Sequence, residues 1–178
     1  SLGLVGSEMC IRDSPKFKYL VKKLPGADKL TLCFQCGSCT PDCPVARRRE
    51  DFRPRRIARL AILGLKKPLF SDSLLWLCLG CFSCTENCPQ GVKPTELIEA
   101  LRELGASEGL LPEQVRDMME ALLRDGRIHR MTRMKARARE KMGLPPVPEL
   151  DLEGLRALLE ASGLADAIRR GRGGGGGK

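Results

Sequence analysis

Two short stretches, "CFQCGSCTPDCP" at 33–44 and "CLGCFSCTENCP" at 78–89, hold eight of the nine cysteines of this 178-residue chain. Cys33, Cys36, Cys39 and Cys43 map onto Cys78, Cys81, Cys84 and Cys88 with one constant offset of 45 residues, and Ser38, Thr40 and Pro44 map onto Ser83, Thr85 and Pro89. This is an internal duplication of a ligand loop, too short to be a solenoid. Thiolates are soft ligands suited to zinc or to iron-sulfur clusters. Structural zinc usually takes two C-x2–4-C knuckles separated by a longer segment. Here all four thiols of each set fall within eleven residues, each set followed by proline. The spacing C-x2-C-x2-C-x3-C-P therefore reads as a 4Fe-4S ligand run.

The physical reason for that spacing is reach. Two-residue gaps curl the chain so that three successive thiolates face one cubane, while intervening backbone N–H groups point at its sulfurs and stabilise the reduced state. Gly37, Ser38, Gly80 and Ser83 let the backbone come close, and Pro44 and Pro89 fix the chain direction after the last ligand. In two-cluster ferredoxins of this pattern the fourth cysteine serves the other cluster. Applied here, one cluster takes Cys33, Cys36, Cys39 and Cys88, and the second takes Cys78, Cys81, Cys84 and Cys43. Crossed ligation clamps the loops together and sets two clusters side by side, a geometry suited to passing single electrons.

The elements that must position these loops read as helices. Between them, "RPRRIARLAILG" places Ile57, Leu60, Ala61 and Gly64 at helical spacing, with Pro54 early and Gly64 near the end. After the second loop, "KPTELIEALRELG" puts Leu97, Ile98, Leu101 and Leu104 on one face, with Pro94 in the first turn and Gly105 as the stop. In "LPEQVRDMMEALLRDG", Val115, Met118, Met119, Leu122 and Leu123 keep the period and Gly126 closes it. Residues 127–142 read as a basic helix. "LPPVPEL" then imposes a stiff extended linker before an amphipathic helix from about Leu152 to Ile168. No stretch alternates convincingly as a strand, so the expected class is mainly α.

The expected divisions are residues 15–110 as the dicluster unit, 111–148 as a helical basic extension, 149–170 as an amphipathic helical segment and 171–178 as a disordered glycine-rich tail. Residues 1–14, "SLGLVGSEMCIRDS", resemble translated read-through of a sequencing adapter and are set aside as a non-native leader. Cys10 lies in that segment and is not expected to be a ligand.

With only seven aromatic residues, the chain gains from a metal staple. Its formal charge of +9 points towards an acidic partner. Eight thiolates on two cores of roughly +2 each would lower that by about four, which weakens the case for nucleic acid. No run approaches a membrane span and no secretory leader is evident, so the expected location is the cytoplasm. In a reducing compartment dense cysteines are metal ligands rather than disulfides.

The two loops, together with "DFRPRRIARLAILGL" and "SDSLLWLCLGCFSCTENCPQGVKPTELIEALRELG", resemble the C-type subunit of heterodisulfide reductase and its bacterial and archaeal relatives, over about residues 16–148. The resemblance implies an α-helical ferredoxin fold with two cluster-binding loops joined and followed by helices; the 45-residue helical spacing favours the same fold. It also implies two 4Fe-4S clusters on the eight paired cysteines. The expected partners are a flavin-containing A-like subunit and a cysteine-rich catalytic B-like subunit, between which electrons pass. The catalytic subunit's motif contains adjacent cysteines, and this chain has no Cys-Cys pair. Catalysis is therefore expected of a partner.

Two alternatives stand beside this reading. The chain could be the iron-sulfur subunit of another oxidoreductase, of the succinate, fumarate, glycerol 3-phosphate or lactate type, although those subunits carry a further domain that does not fit here. A basic metal-stapled nucleic-acid module is the more distant reading. Against it, the aromatic residues cluster at the cysteines rather than among the basic runs.

Arg47, Arg48, Arg49, Arg53, Arg55, Arg56 and Arg59 follow the first loop and either steer an acidic partner or form a solvated helix face. The basic run from Arg124 to Lys141 reads as solvated surface. Trp76, Phe34 and Phe82 are expected to wall the clusters from water or to pack in the core. His129 reads as a surface residue, and Met118, Met119, Met131, Met134 and Met142 as apolar packing.

Overall fold

The computed structural model describes residues 16–70, 73–129, 131–166 and 169. Among these the regular structure is entirely helical, and the chain divides into two compact units, one up to Gly105 and one from Ala106. The proposed leader, Cys10, Ile168 and the glycine-rich tail lie outside the described residues.

In the first unit, α1 (Phe17–Lys22) leads to a 3₁₀ turn at Leu30–Leu32 and the first cysteine loop; α2 (Pro54–Leu63) and α3 (Lys66–Phe70) then precede a second 3₁₀ turn at Ser73–Leu77. The second loop contains the short α4 (Ser83–Glu86) and is followed by α5 (Pro94–Ser107). Helix α2 forms as the spacing predicts. Arg53 is extended at its N-cap, Pro54 opens the first turn, and Gly64 closes it at φ 75°. Leu65 N–H returns to the Leu60 carbonyl at 2.9 Å, satisfying a carbonyl the helix leaves open.

Its inner face buries Ile57, Ala58, Leu60 and Ala61 against a core that includes Leu30, Phe52, Leu69, Leu75, Leu97, Ile98 and Leu101. Each wholly buried leucine or isoleucine contributes about 1.5–3 kcal/mol of transfer free energy. Phe17 meets Phe70 edge-on, with ring centroids 6.2 Å apart. The two cysteine loops thus hang from a helical frame with its own apolar core.

Helix α5 corrects one expectation. Gly105 does not stop it: the helix runs on to Ser107 with Gly105 buried inside it, and the left-handed glycine that follows is Gly109, at φ 76°. Burial at a small residue outweighs the ~1 kcal/mol that an interior glycine costs a helix.

The second unit contains α6 (Glu113–Asp125), α7 (Arg133–Lys141) and α8 (Leu152–Ala161). Gly126 closes α6 at φ 67° and packs under Leu150, Leu152 and Leu155. Arg156 of α8 donates to the Leu123 and Arg124 carbonyls at 3.1 and 3.2 Å, supplying partners for the C-terminal end of α6.

Two boundaries differ from expectation. The basic helix begins only at Arg133, where the Thr132 hydroxyl accepts from Lys135 N–H. Helix α8 ends at Ala161, Gly163 is left-handed at φ 74°, and helical turns resume at 164–166, so the expected single helix is broken. None of these three helices has a fully buried residue. Met118, Met131, Met134 and Met142 are accordingly exposed rather than packed, because too little apolar surface faces them. His129 is exposed, as expected.

Candidate cluster-binding site

The duplication seen in the sequence recurs in the backbone. In the first loop Gln35 and Gly37 adopt left-handed φ of 63° and 92°; in the second, Gly80 and Phe82 do so at 64° and 61°. These are the same two positions, 45 residues apart, with glycine occupying a different one in each copy. Alternating handedness is what turns successive thiols towards one side. Holding Gln35 and Phe82 left-handed costs about 1–2 kcal/mol each, a strain typical of functional loops.

Contacts also link equivalent positions of the two copies. Asn87 Nδ2 donates to Asp42 Oδ2 at 2.8 Å, each residue standing immediately before the fourth cysteine of its loop. Cys84, again 45 residues on, is close enough to help raise the Cys39 thiol, after burial as the main cause. Contact between matching positions is what a local two-fold relation of the loops produces.

That arrangement distributes the thiols across the loops. Cys33, Cys36 and Cys39 line one cleft together with Cys88, Pro89, Val92 and Pro94 and with Pro54, Arg55 and Ala58 of α2. Cys43 is buried and acts electrostatically on Cys78 and Cys84 of the second loop. Among the described residues no three His, Cys, Asp or Glu side chains meet tightly enough for a single ion; the four thiols at the first cleft line a space instead.

Most of the thiols have a donor at hand. Gln35 Nε2 donates to Cys33 Sγ at 3.2 Å and Val92 N–H to Cys88 Sγ at 3.3 Å. The Thr95 hydroxyl lies 3.2 Å from Cys84 Sγ and the Ser38 hydroxyl 3.4 Å from Cys36 Sγ. Cys81 Sγ lies 3.6 Å from the Ser83 hydroxyl. Once the thiols ionise, all three hydroxyls must be the donors.

Burial pushes the Cys39, Cys78 and Cys84 thiols up, against the Thr40 hydroxyl at Cys39, the Gly80 backbone and Arg102 guanidinium at Cys78, and the Thr95 hydroxyl at Cys84. Cys36 and Cys81 are exposed, and Ser38 and Ser83 hold them below the ordinary thiol value, by hydroxyl first and backbone N–H second. Thr40 Oγ1 is buried and makes no hydrogen bond of good geometry. Its proton is available to an acceptor beside Cys39.

Arg102 anchors the second loop. It donates to the Leu75 and Cys78 carbonyls at 2.9 and 2.6 Å and lies 5.5 Å from the Trp76 ring centre. Trp76 is half-buried, whereas Phe34 and Phe82 are 60% and 42% exposed. Those two phenylalanines do not pack in the core; each directly follows a cysteine, Cys33 and Cys81. Gln35, Thr95, Val92 and Arg102 carry no motif that would mark them in the sequence. The Asp42–Asn87 pair alone has a signal, its 45-residue offset.

Comparison with known proteins places the loops first in a class. A family model described as a 4Fe-4S dicluster domain matches residues 29–92. The chain is 36% identical over 153 residues to a protein of Archaeoglobus profundus that is named as like the C-type subunit of heterodisulfide reductase, covering 83% of this chain and 80% of that protein. It is 37% identical over 134 residues to the second C-type iron-sulfur subunit of CoB–CoM heterodisulfide reductase of Methanocaldococcus jannaschii, with 72% and 71% covered. To the C-type subunit of the H2:CoB-CoM heterodisulfide, ferredoxin reductase of Methanothermobacter marburgensis it is 32% identical over 152 residues, 82% of each. The chain belongs to the family of C-type heterodisulfide reductase subunits, and it is an iron-sulfur electron-transfer subunit of an oxidoreductase complex.

Proposed function

We propose that the chain holds two 4Fe-4S clusters with crossed ligands, Cys33, Cys36, Cys39 and Cys88 around one and Cys78, Cys81, Cys84 and Cys43 around the other. The observation that carries this reading is the placement of the fourth cysteines: Cys88 lines the first loop's cleft, and Cys43 lies with Cys78 and Cys84. The donor set fits the group. Eight thiols, a buried Thr40 hydroxyl without a well-formed hydrogen bond and side-chain or backbone donors at six sulfurs suit an acceptor-rich anionic cluster. When bound, such clusters take up and release single electrons. The protein's residues hold them on a rigid frame, exclude water on the core side and expose one ligand of each, Cys36 and Cys81.

An exposed edge at each loop gives electrons a way in and a way out. The chain then serves as a relay between a flavin-containing subunit and a cysteine-rich catalytic subunit in the cytoplasm, with thiol–disulfide chemistry performed by the partner. The absence of adjacent cysteines here supports that division. Among the described residues no helix is long and apolar enough to cross a membrane.

Anaerobic reconstitution tests the reading. The expected content is about eight iron and eight acid-labile sulfide per chain; zinc without sulfide sinks it. Electron paramagnetic resonance tests the crossing. Cys43→Ala should damage the cluster whose other ligands come from the second loop, and Cys88→Ala the other, with the opposite pattern overturning the assignment. Copurification of a partner bearing adjacent-cysteine motifs is expected, and a partner of another oxidoreductase type would redirect the function.

A further inference from the structure

We propose that the outer face of α2, built by Arg53, Arg55, Arg56 and Arg59, is a docking surface for an acidic redox protein that exchanges electrons at the first loop's cluster. This inference rests on the cluster reading above. The four arginines, with Gln35 and Glu50, surround an open recess of about 630 Å³, part of it solvent. Gln35 and Arg55 line both this recess and the cleft of Cys33, Cys36, Cys39 and Cys88. Arg55 Nη1 would stand 3.3 Å from a Cβ placed on Gly37. A partner seated on the arginines therefore sits beside the cleft that includes the exposed Cys36 thiol.

The other arginines after the first loop are partly engaged within the chain. Arg47 pairs with Asp42 and Arg49 with Asp51. Arg56 donates to the Asp51 carbonyl but pairs with no carboxylate among the described residues, and Arg53, Arg55 and Arg59 make no ion pair among the described residues. Among the described residues Glu50 is the one acid lining the recess. Four guanidinium groups on two helical turns repel one another and attract a surface that brings carboxylates. The recess is open and lined by four separate guanidinium groups, which suits a protein surface carrying several carboxylates better than a single small anion.

The second loop presents different chemistry. Glu99 Oε1 would stand 3.9 Å from a Cβ on Gly80, Lys93 is paired with Glu96 at 3.2 Å, and the exposed neighbours of Cys81 are Leu79 and Phe82. An acidic partner thus has one end of the relay to choose. Nucleic acid is the competing polyanion, but the arginine face has no interleaved aromatic platform.

The test compares the reconstituted full chain with Arg53→Gln/Arg55→Gln/Arg56→Gln/Arg59→Gln and with a control, Arg133→Gln/Lys135→Gln/Arg137→Gln, which removes three exposed charges of α7. Binding of an acidic flavodoxin and of a single-stranded oligonucleotide is measured at low and at moderate salt. The expected result is flavodoxin affinity that falls about tenfold with salt and about tenfold in the α2 variant, with the control close to wild type. Equal loss in both variants, or no loss in the α2 variant, overturns the proposal, as does a greater dependence of oligonucleotide than of flavodoxin binding on the α2 arginines.

A second measurement ties the face to the cluster. Oxidation of the reduced protein by the anionic chelate Fe(EDTA)⁻ should slow several-fold in the α2 variant and when flavodoxin is bound; unchanged rates also overturn the proposal. The binding arm needs no cluster, so a chain that binds flavodoxin through α2 yet assembles no iron-sulfide refutes the cluster reading alone.

Discussion

At the scale of single residues, the two loops are joined by side chains that differ between the copies. Asp42 and Asn87 occupy matching positions and meet at 2.8 Å; two aspartates there would repel and two asparagines would leave Arg47 without its ion pair. Asn87→Asp is expected to destabilise the paired loops by about 1 kcal/mol at neutral pH and low salt. Because the deficit is Coulombic, it should shrink as salt screens the two exposed carboxylates, so thermal melts of the variant and wild type should converge at high salt and diverge at low salt.

Thr95→Val removes the hydroxyl beside Cys84 while keeping the buried shape. A donor to a ligand thiolate stabilises the more negative, reduced cluster. One such bond is worth about 1 kcal/mol, or on the order of 40 mV for one electron. The expected outcome in a redox titration is a negative shift of up to that size in one cluster only; a positive shift, or equal shifts in both, counts against the assignment of Cys84.

At the scale of elements, the helices that carry the loops were legible because their apolar period and terminal residues agree. Pro54 and Gly64 bracket α2 as the spacing predicts, and Gly126 closes α6. Gly105 misled because a glycine marks a stop only if the chain turns left-handed there, and burial decides that, not type. Gln35 and Phe82 were illegible for the converse reason: their left-handed φ comes from the loop's fold and opposes their own preference. The thiols themselves were legible as a set, but their surroundings were not, since Thr95 and Val92 reach the Cys84 and Cys88 sulfurs, and Arg102 the Cys78 carbonyl, from later in the chain.

Gly26 is the position where freedom from a side chain decides an element's seat. Its φ is +76°, and a Cβ there would stand 2.6 Å from Glu96 Cβ on α5. Gly26→Ala adds a left-handed penalty of about 1–2 kcal/mol to overpacking of about 1–3 kcal/mol. The expected loss is roughly 2–5 kcal/mol, read as a fall in Tm of the first unit of about ten degrees or more. Gly143→Ala, also left-handed but with open space around the new Cβ, should cost only the backbone penalty.

At the scale of the whole molecule, the two units differ in what holds them. The first buries Leu30, Phe52, Ile57, Leu69, Leu75, Leu97, Ile98 and Leu101 completely, and clusters bound to its loops would add cross-links between segments far apart in sequence. The second has Leu111 and Ala165 as its buried apolar side chains among the described residues, and α7 is exposed along nearly its whole length. Local opening therefore requires little free energy in α7 and much in α2 or α5. Trypsin requires such opening to cut. Although Arg55, Arg56 and Arg59 are exposed on α2, brief digestion of the holoprotein should, among sites in the helices described, cleave first between Arg127 and Lys141. The N-terminal product should keep its visible absorbance and its iron, because all eight paired cysteines precede the cut. Early cleavage within α2, or loss of colour in step with cleavage after Arg127, would show that the second unit supports the clusters after all.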